Sequence, residues 1–440
     1  MPPIDRGVES KKREPRRRGS RRTVSPPRLR EARRRVAAHV VPTDAHELAS
    51  LSQLLRRPGI VSLAIASALA RMPFSMGAVA LVIFVHSRTG SFGASGLVTA
   101  AYSFSFAAAG PALGRLVDRR GPRAVLLPSA TVAALGMMAI IVLGEAGAPV
   151  AALIAAAVAA GGATPPISGV LRQSWPRLVE PAELPAAYLF DSVLIEIVFV
   201  SGQLLTGLLA VTIDPAAPLG FAGVVGLVGA FWFAWLPEVR TMAPSAKHHH
   251  RRAGALASPA IRLLVVTGLP IGFTFGALDV ALPAFGAGHG SSAMGGLFTA
   301  LLGVGSVIGA LVYGVYASRF GDLRQANVRL AIAQPLFCLP LLLAPAPIFL
   351  VVPAVLAGLY AAPILTVRSR IAQIAMPPGT GTETFTWLLL AVMIGVSAGS
   401  LVAGPLVEAS GWRLGVVAAI VVPAAAVPLF VIRQGLLPDG

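Results

Sequence analysis

Charged residues are scarce in this sequence, at 12% of the 440 residues, whereas soluble domains usually contain about one quarter. Hydrophobic residues make up 55% of the chain. This composition excludes a water-soluble globule. The long apolar runs favour an all-α membrane protein, because in lipid a helix satisfies its own backbone hydrogen bonds. They do not show the alternating pattern of a membrane β-barrel.

Cysteine, lysine and catalytic motifs are also nearly absent. The single cysteine, Cys338, lies in an apolar run and cannot form an internal disulfide. Lys247 is the only lysine beyond the N-terminal tail and no GxxxxGK motif occurs, so the sequence predicts no ATP site. HExxH is missing as well. We therefore expect no enzyme activity, no cofactor and no metal site.

Acidic residues are rarer than basic ones. The sequence has 19 Asp and Glu against 36 Lys and Arg, which gives a formal net charge of +17. In a soluble protein this excess would indicate nucleic acid as a partner. Here the basic residues lie in the N-terminal tail and in alternate loops, so no nucleic-acid partner is expected. All except Arg71, Arg88 and Arg413 fall on the same side of the predicted topology. The positive-inside rule then predicts that both termini lie in the cytoplasm and that the protein resides in the cell inner (plasma) membrane.

The order of apolar and polar segments predicts two bundles of six helices. A span takes about 20 residues, so this length can hold twelve. The predicted organisation is a basic, mostly disordered tail with a short juxtamembrane helix against membrane lipid at 1–57, a six-helix bundle at 58–237, a cytoplasmic linker at 238–258, a second bundle at 259–434 and a cytoplasmic tail at 435–440. The predicted spans are 59–86, 91–113, 123–144, 147–169, 186–212, 217–237, 259–285, 291–317, 326–344, 346–366, 383–407 and 412–434.

The two halves are related by an internal repeat. GLVTA at 96–100 recurs as GLFTA at 296–300. In the fifth and eleventh spans a pair of glycines recurs at a spacing of 197 residues, as Gly202 and Gly207, then Gly399 and Gly404. Glycines at such positions let helices approach closely, so these four are predicted packing residues. Repeats of this kind predict a substrate site between the bundles near the membrane midplane.

The segment after the second predicted span reads GRLVDRRGPR and contains a recognisable motif. Its members are Gly114, Asp118, Arg119, Gly121 and Arg123. The second half repeats it without the aspartate, as Gly314, Arg319, Gly321 and Arg324. This pattern resembles the signature of the major facilitator superfamily, in the loop between its second and third helices.

The resemblance implies the superfamily's fold of twelve transmembrane helices, secondary transport by alternating access, and a conformational switch in this loop. Asp118 would pair with an arginine or a helix N-terminus of the other bundle in only one access state. GQLLTG at 202–207 looks like a weakened form of the family's antiporter motif, because Gln203 replaces a proline and Thr206 a glycine. The family's arginine in the fourth span is missing from 147–169, and Arg172 lies nearer the predicted surface.

Four charged residues lie well inside the predicted spans, away from the span ends, where such groups are costly and mark functional sites. Arg71 and Glu196 have opposite charge and similar predicted depth, so we expect them to pair. Glu196 is the predicted proton carrier and Arg71 its partner. Asp191 and Asp279 either extend the proton route or have a structural role.

These features predict a proton-coupled transporter that exports small amphipathic molecules and works as a monomer. The partners implied are a small-molecule substrate, protons and membrane lipid. The alternatives are a proton-linked importer of a polar solute and, from a different class, a non-transporting membrane sensor or a membrane-embedded enzyme. A sensor or an enzyme would need an appended domain or a catalytic cluster, and the sequence contains neither.

Overall fold

The computed structural model describes residues 57–180, 183–242, 254–291, 294–316, 322–377 and 380–438, all within one compact unit, Gln53–Gly440. Over these ranges the structure is helical and contains no strand. Twelve of the described helices are long and apolar enough to cross a membrane. The predictions for residues 1–56 and for most of the linker lie outside the described residues, as do Arg319 and Gly321.

The first six spans form the N-terminal bundle. They are Ile60–Thr89, Phe92–Arg120, Pro122–Glu145, Val150–Gly162 continued by Ile167–Leu178, Leu184–Thr212, and Ala217–Trp235. A short helix, Pro237–Arg240, follows the sixth span.

The remaining six spans form the C-terminal bundle, which is preceded by a short 3₁₀ helix, Ala255–Ala257. They are Pro259–Ala287, Met294–Tyr316, Leu323–Cys338 continued by the 3₁₀ helix Leu339–Leu343, Pro347–Gly358 continued by Ala361–Ala375, Gly381–Ser410, and Trp412–Arg433 continued by the 3₁₀ helix Gln434–Leu436.

The fourth and tenth spans are each interrupted at equivalent points of the repeat. In the fourth span Pro165 and Pro166 break the helix, because proline has no amide hydrogen to donate. Both spans then continue well beyond their predicted ends at 169 and 366, to Leu178 and Ala375. Those two predictions were wrong because arginines near the ends stop an apolar run without stopping a helix.

Ion pairs and hydrogen bonds tie the helix ends together at two opposite faces. At one face Arg88 lies 2.6 Å from a carboxylate oxygen of Glu145 and 3.3 Å from one of Asp214. At the other, Arg57 donates to the Leu178 carbonyl over 3.1 Å and lies 2.7 Å from a Glu183 carboxylate oxygen. We call the face with Arg88 the far face and the face with Arg57 the tail face.

The predicted loop between the second and third spans is almost entirely helical. The second span continues to Arg120 and the third begins at Pro122, so one residue, Gly121, joins them. Gly121 has φ +85°, a conformation that L side chains rarely adopt. The motif residues from Gly114 to Arg120 therefore form the last turns of a helix at the tail face.

Candidate functional site

A hydrogen-bonded carboxylate joins the two bundles at the far face. Ser91 Oγ and the Gly93 amide each donate to the same carboxylate oxygen of Glu408 over 2.7 Å. Ser91 and Gly93 lie at the start of the second span, and Glu408 lies near the end of the eleventh. A carboxylate is favourable at a helix N-terminus, where free amides and the helix dipole meet it.

Two further hydrogen bonds cross between the bundles below this point. Ser397 Oγ of the eleventh span donates to the Ala100 carbonyl of the second over 2.8 Å. Thr299 Oγ1 of the eighth span lies 3.1 Å from Gln203 Oε1 of the fifth and donates to it. The helices of the two bundles are therefore in direct contact in the half of the protein nearer the far face.

Glycines allow these helices to touch backbone to backbone. A Cβ on Gly207 would lie 2.6 Å from the amide nitrogen of Leu297, and one on Gly404 would lie 2.8 Å from the carbonyl oxygen of Phe92. Each of these contacts joins the two bundles. We call this set of contacts, from Glu408 to Gly207, the far-face seal.

The other two predicted packing glycines act within the bundles. Gly202 lies against the side chain of Ser75 in the first span, and Gly399 lies against the Phe273 carbonyl in the seventh. Both positions leave no room for a Cβ, which explains the glycine at each. Of the repeated pairs, Gly207 and Gly404 meet the opposite bundle, and Gly202 and Gly399 do not.

The contacts are looser towards the tail face. A Cβ on Gly114 or Gly314 would meet no described atom within 4 Å. The eighth span becomes exposed over its last turns, with Leu311 at 66% and Val315 at 75%. The glycine motif at the tail face thus borders open space, whereas the glycines of the far-face seal are in backbone contact.

The motif carboxylate, Asp118, has a described partner in its own bundle. Its Oδ1 accepts a hydrogen bond from Gln173 Nε2 of the fourth span over 3.1 Å. The sequence motif implies that Asp118 has a partner in the opposite bundle in one of the two access states. In this conformation, with the far-face seal formed, Asp118 is bound to Gln173.

The basic residues of the motif contact the ends of other spans or face outward. The Arg123 guanidinium lies over the Trp235 ring, 3.6 Å from its centroid. Arg324 donates to the Leu437 carbonyl over 2.7 Å. Arg119 is exposed.

A buried ionic cluster lies within the N-terminal bundle, on the tail side of the seal. Arg71 Nη2 of the first span is 2.7 Å from Asp191 Oδ1 of the fifth, and Arg172 Nε of the fourth is 3.1 Å from Asp191 Oδ2. The side chains of Arg71 and Asp191 are 6% and 1% exposed, whereas that of Arg172 is 47% exposed. We call these three residues the arginine cluster.

The predicted pairing of Arg71 with Glu196 is therefore wrong in this conformation. Asp191 and Glu196 are five residues apart on one helix, a rotation of about 140° at 3.6 residues per turn. The two carboxylates point to different sides of the fifth span, and the side facing Arg71 is that of Asp191. The predicted depth in the membrane could not by itself show which of the two carboxylates faces Arg71.

Glu196 faces the C-terminal bundle. Its half-buried side chain lies beside that of Ser306 in the eighth span, and the Ser306 hydroxyl interacts with the carboxylate. One turn further towards the far face, Gly303 packs against Val200, where the two spans come together. Glu196 thus lies at the tail-side edge of the contact between the bundles.

Three phenylalanines from three different spans meet beside these groups. The Phe74 ring centroid lies 4.9 Å from that of Phe106 and 5.2 Å from that of Phe199. All three side chains are partly exposed. Phe74 is one turn from Arg71 and Phe199 is one turn from Glu196, so an aromatic surface adjoins both ionisable sites.

The two remaining intramembrane charges lie away from the arginine cluster. Asp279, in the seventh span, lies towards the far face and is half-buried. Arg368, in the tenth span, is 2% exposed and donates to Thr267 Oγ1 over 2.9 Å and to the Leu264 carbonyl. Sequence reasoning missed Arg368 because the predicted tenth span ended at residue 366.

The fold, the seal between the bundles and the ionisable residues beneath it are those of a secondary transporter. The sequence model of the Major Facilitator Superfamily matches residues 63–335. The chain belongs to this superfamily and is a multi-pass membrane transporter, with a small molecule as its substrate.

Individual relatives agree with this assignment. The chain is similar to the uncharacterized MFS-type transporter y4rN of Sinorhizobium fredii, with 29% identity over 279 residues, which cover 60% of this chain and 68% of that protein. A mutant form of the nucleoside transporter NupG superposes with a TM-score of 0.68 at 14% identity, covering 86% of this chain and 99% of that one. An auto-inhibited POT family peptide transporter superposes with a TM-score of 0.63 at 13% identity, covering 84% and 96%. At such identities the two structures show the shared fold.

Proposed function

We propose that this transporter exports small amphipathic molecules in exchange for protons by alternating access. The observation that carries the proposal is the position of Glu196, a half-buried carboxylate beside Ser306 across the interface between the bundles. A carboxylate at a moving interface can exchange a proton and a hydrogen-bond partner in one step. Protonation of Glu196 would then shift the equilibrium between the two access states, because the side chain makes different contacts in each.

The formed far-face seal supports assigning this conformation to the state that opens towards the tail face. In the opposite state the seal would separate and the motif helices of the two bundles would approach. We propose that Asp118 then exchanges Gln173 for a partner in the C-terminal bundle. The surface of Phe74, Phe106 and Phe199 supports an amphipathic substrate over a fully polar one, because aromatic rings bind apolar groups.

We propose that the tail face is cytoplasmic and that the membrane is the plasma membrane, because the basic residues lie predominantly on that side. Reporters fused after Arg57 and at Gly440 should both report the cytoplasm. Periplasmic signals from both fusions would reverse the orientation and, with it, the direction assigned to this conformation. A periplasmic signal from only one would contradict an even number of spans.

The proposed function can be tested with purified protein in lipid vesicles that carry an imposed pH difference. A panel of labelled amphipathic molecules should include compounds whose movement follows the pH difference and stops when a protonophore collapses it. Movement that requires the protein but ignores the pH difference would contradict proton coupling. The matched control is vesicles without protein, because amphipathic weak acids and bases also redistribute across bare lipid.

A further inference from the structure

We infer that the arginine cluster is a binding subsite for the anionic head group of the transported molecule, in the first instance a carboxylate; this inference rests on the proposed export of amphipathic molecules. It narrows the substrate class to amphipathic anions. The argument uses the charge balance of the cluster, the hydrogen-bonding capacity that Arg71 leaves unused, and the neighbouring aromatic surface.

The cluster has more positive than negative charge. Arg71 and Arg172 share one carboxylate, that of Asp191. Two guanidinium groups and one carboxylate leave a net positive charge at the cluster, and its buried member, Arg71, must share its carboxylate with Arg172. A second anion would balance this charge, and a cation would increase the imbalance.

Arg71 also has donors that the described part of the protein does not use. Its Nη2 donates to Asp191, but Nε and Nη1 are buried and have no acceptor among the described residues. Buried polar groups are normally hydrogen-bonded, and each one left without a partner is costly. A carboxylate could accept from Nη1 or Nε together with the second hydrogen of Nη2, which is the pair of parallel hydrogen bonds by which a guanidinium group binds a carboxylate.

Arg172 provides the route of approach. Its side chain is 47% exposed, in contrast to Arg71 and Asp191, so an anion can reach Arg172 first. Asp191 lies between the two guanidinium groups, and an incoming carboxylate would bind the same two groups beside it. The substrate anion would then complete the coordination of Arg71 as the bundles move, with Asp191 holding the arginines apart and orienting them.

The aromatic surface places the rest of the molecule. Phe74 lies one helical turn beyond Arg71 and contacts Phe106 and Phe199. An anion bound at the arginines would therefore have its apolar body within reach of three rings. A small aromatic carboxylate has the charge and the shape that this arrangement selects.

Binding of three compounds with the same body tests the subsite directly. The probes are 4-phenylbutyrate, its amide and 4-phenylbutylammonium, and the readout is the dissociation constant of each for the full-length purified protein, measured without a pH gradient. Charge-assisted hydrogen bonds contribute about 1.5–3 kcal/mol, so the carboxylate should bind roughly tenfold to a hundredfold more tightly than the amide. The ammonium compound should bind most weakly.

Variants of the cluster separate binding from folding. Arg71→Gln combined with Asp191→Asn removes the buried pair without leaving an unpaired carboxylate. Because Arg172 remains positive, this double variant should weaken the preference for the carboxylate, and adding Arg172→Gln should erase it while amide binding is unchanged. Arg172→Gln should reduce the preference, and Arg262→Gln, at an exposed arginine outside the cluster, should not alter it. The double variant should keep a cooperative thermal unfolding transition.

The inference is overturned if the carboxylate binds no better than the amide or the ammonium compound. It is also overturned if the double variant weakens all three probes equally, because the cluster would then serve structure alone. Proton-driven transport of neutral or cationic molecules would leave the proposed function intact and remove the anion subsite. If the protein prefers the carboxylate but its transport does not depend on the pH difference, the anion subsite stands and proton coupling is contradicted.

Discussion

Replacing Glu196 by glutamine should abolish pH-driven accumulation of substrate and leave substrate binding and exchange intact. Glutamine keeps the size of the side chain and its polar contact with Ser306, but it cannot release or take up a proton. One pH unit is worth about 1.4 kcal/mol per proton, which supports roughly tenfold accumulation. The variant should show no accumulation in vesicles, while labelled and unlabelled substrate still exchange across the membrane.

Glu145→Gln is the matched control, since Glu145 is a surface carboxylate at the far face and its partner Arg88 retains Asp214. This variant should accumulate substrate as the unmodified protein does. Full accumulation by Glu196→Gln would show that another group carries the proton. Asp279 would then be tested in the same way, because it is a further half-buried carboxylate within a span and outside the arginine cluster.

Replacing Gly207 by alanine should hold the far-face seal open and slow transport strongly. The added methyl group would lie 2.6 Å from the Leu297 amide nitrogen and 2.9 Å from the carbonyl carbon of Gly296, and both are backbone atoms that cannot turn aside. Overpacking of this kind costs about 1–3 kcal/mol. The cost applies only while the seal is formed, so the population of the sealed state should fall roughly fivefold to a hundredfold.

Thiol labelling measures this shift. The single native cysteine, Cys338, is buried and can be replaced by alanine, and a cysteine at Ala100 then reports on the seal because that side chain is 5% exposed. A membrane-impermeant reagent applied at the far face should label it faster in Gly207→Ala. Gly220→Ala is the control, because the added Cβ would lie 3.7 Å from Ile141, an ordinary contact. Equal labelling rates in both variants would mean that Gly207 does not limit closure.

The architecture could be predicted from sequence because it follows from local constraints. An apolar run of sufficient length must become a helix in lipid, and the repeat of glycine pairs identifies two related bundles. The packing role of Gly207 and Gly404 could also be predicted from sequence, since glycine repeated within a span has few uses besides close packing. What the repeat could not distinguish was contact within a bundle from contact between bundles.

The pairing of charges could not be predicted in the same way. Whether Arg71 meets Asp191 or Glu196 depends on the rotation of two helices about their axes, and apolar runs determine helix length far better than rotation. Arg368 was missed for a related reason. A long basic side chain near the end of a span ends the apolar run, although the helix continues and the aliphatic stem packs among its neighbours.

The exposure of Glu408 has a consequence for the energy of opening at the far face. When the bundles separate, the Glu408 carboxylate loses its hydrogen bonds from the Ser91 hydroxyl and the Gly93 amide. Because Glu408 is exposed at the surface, water can replace each of these partners at once. Exposed charged contacts contribute only about 0–1 kcal/mol, so this exchange with solvent is nearly neutral. The carboxylate therefore fixes the register of the closed helices without making them hard to separate. One proton moving down one pH unit releases about 1.4 kcal/mol, which exceeds the free energy needed to separate this contact.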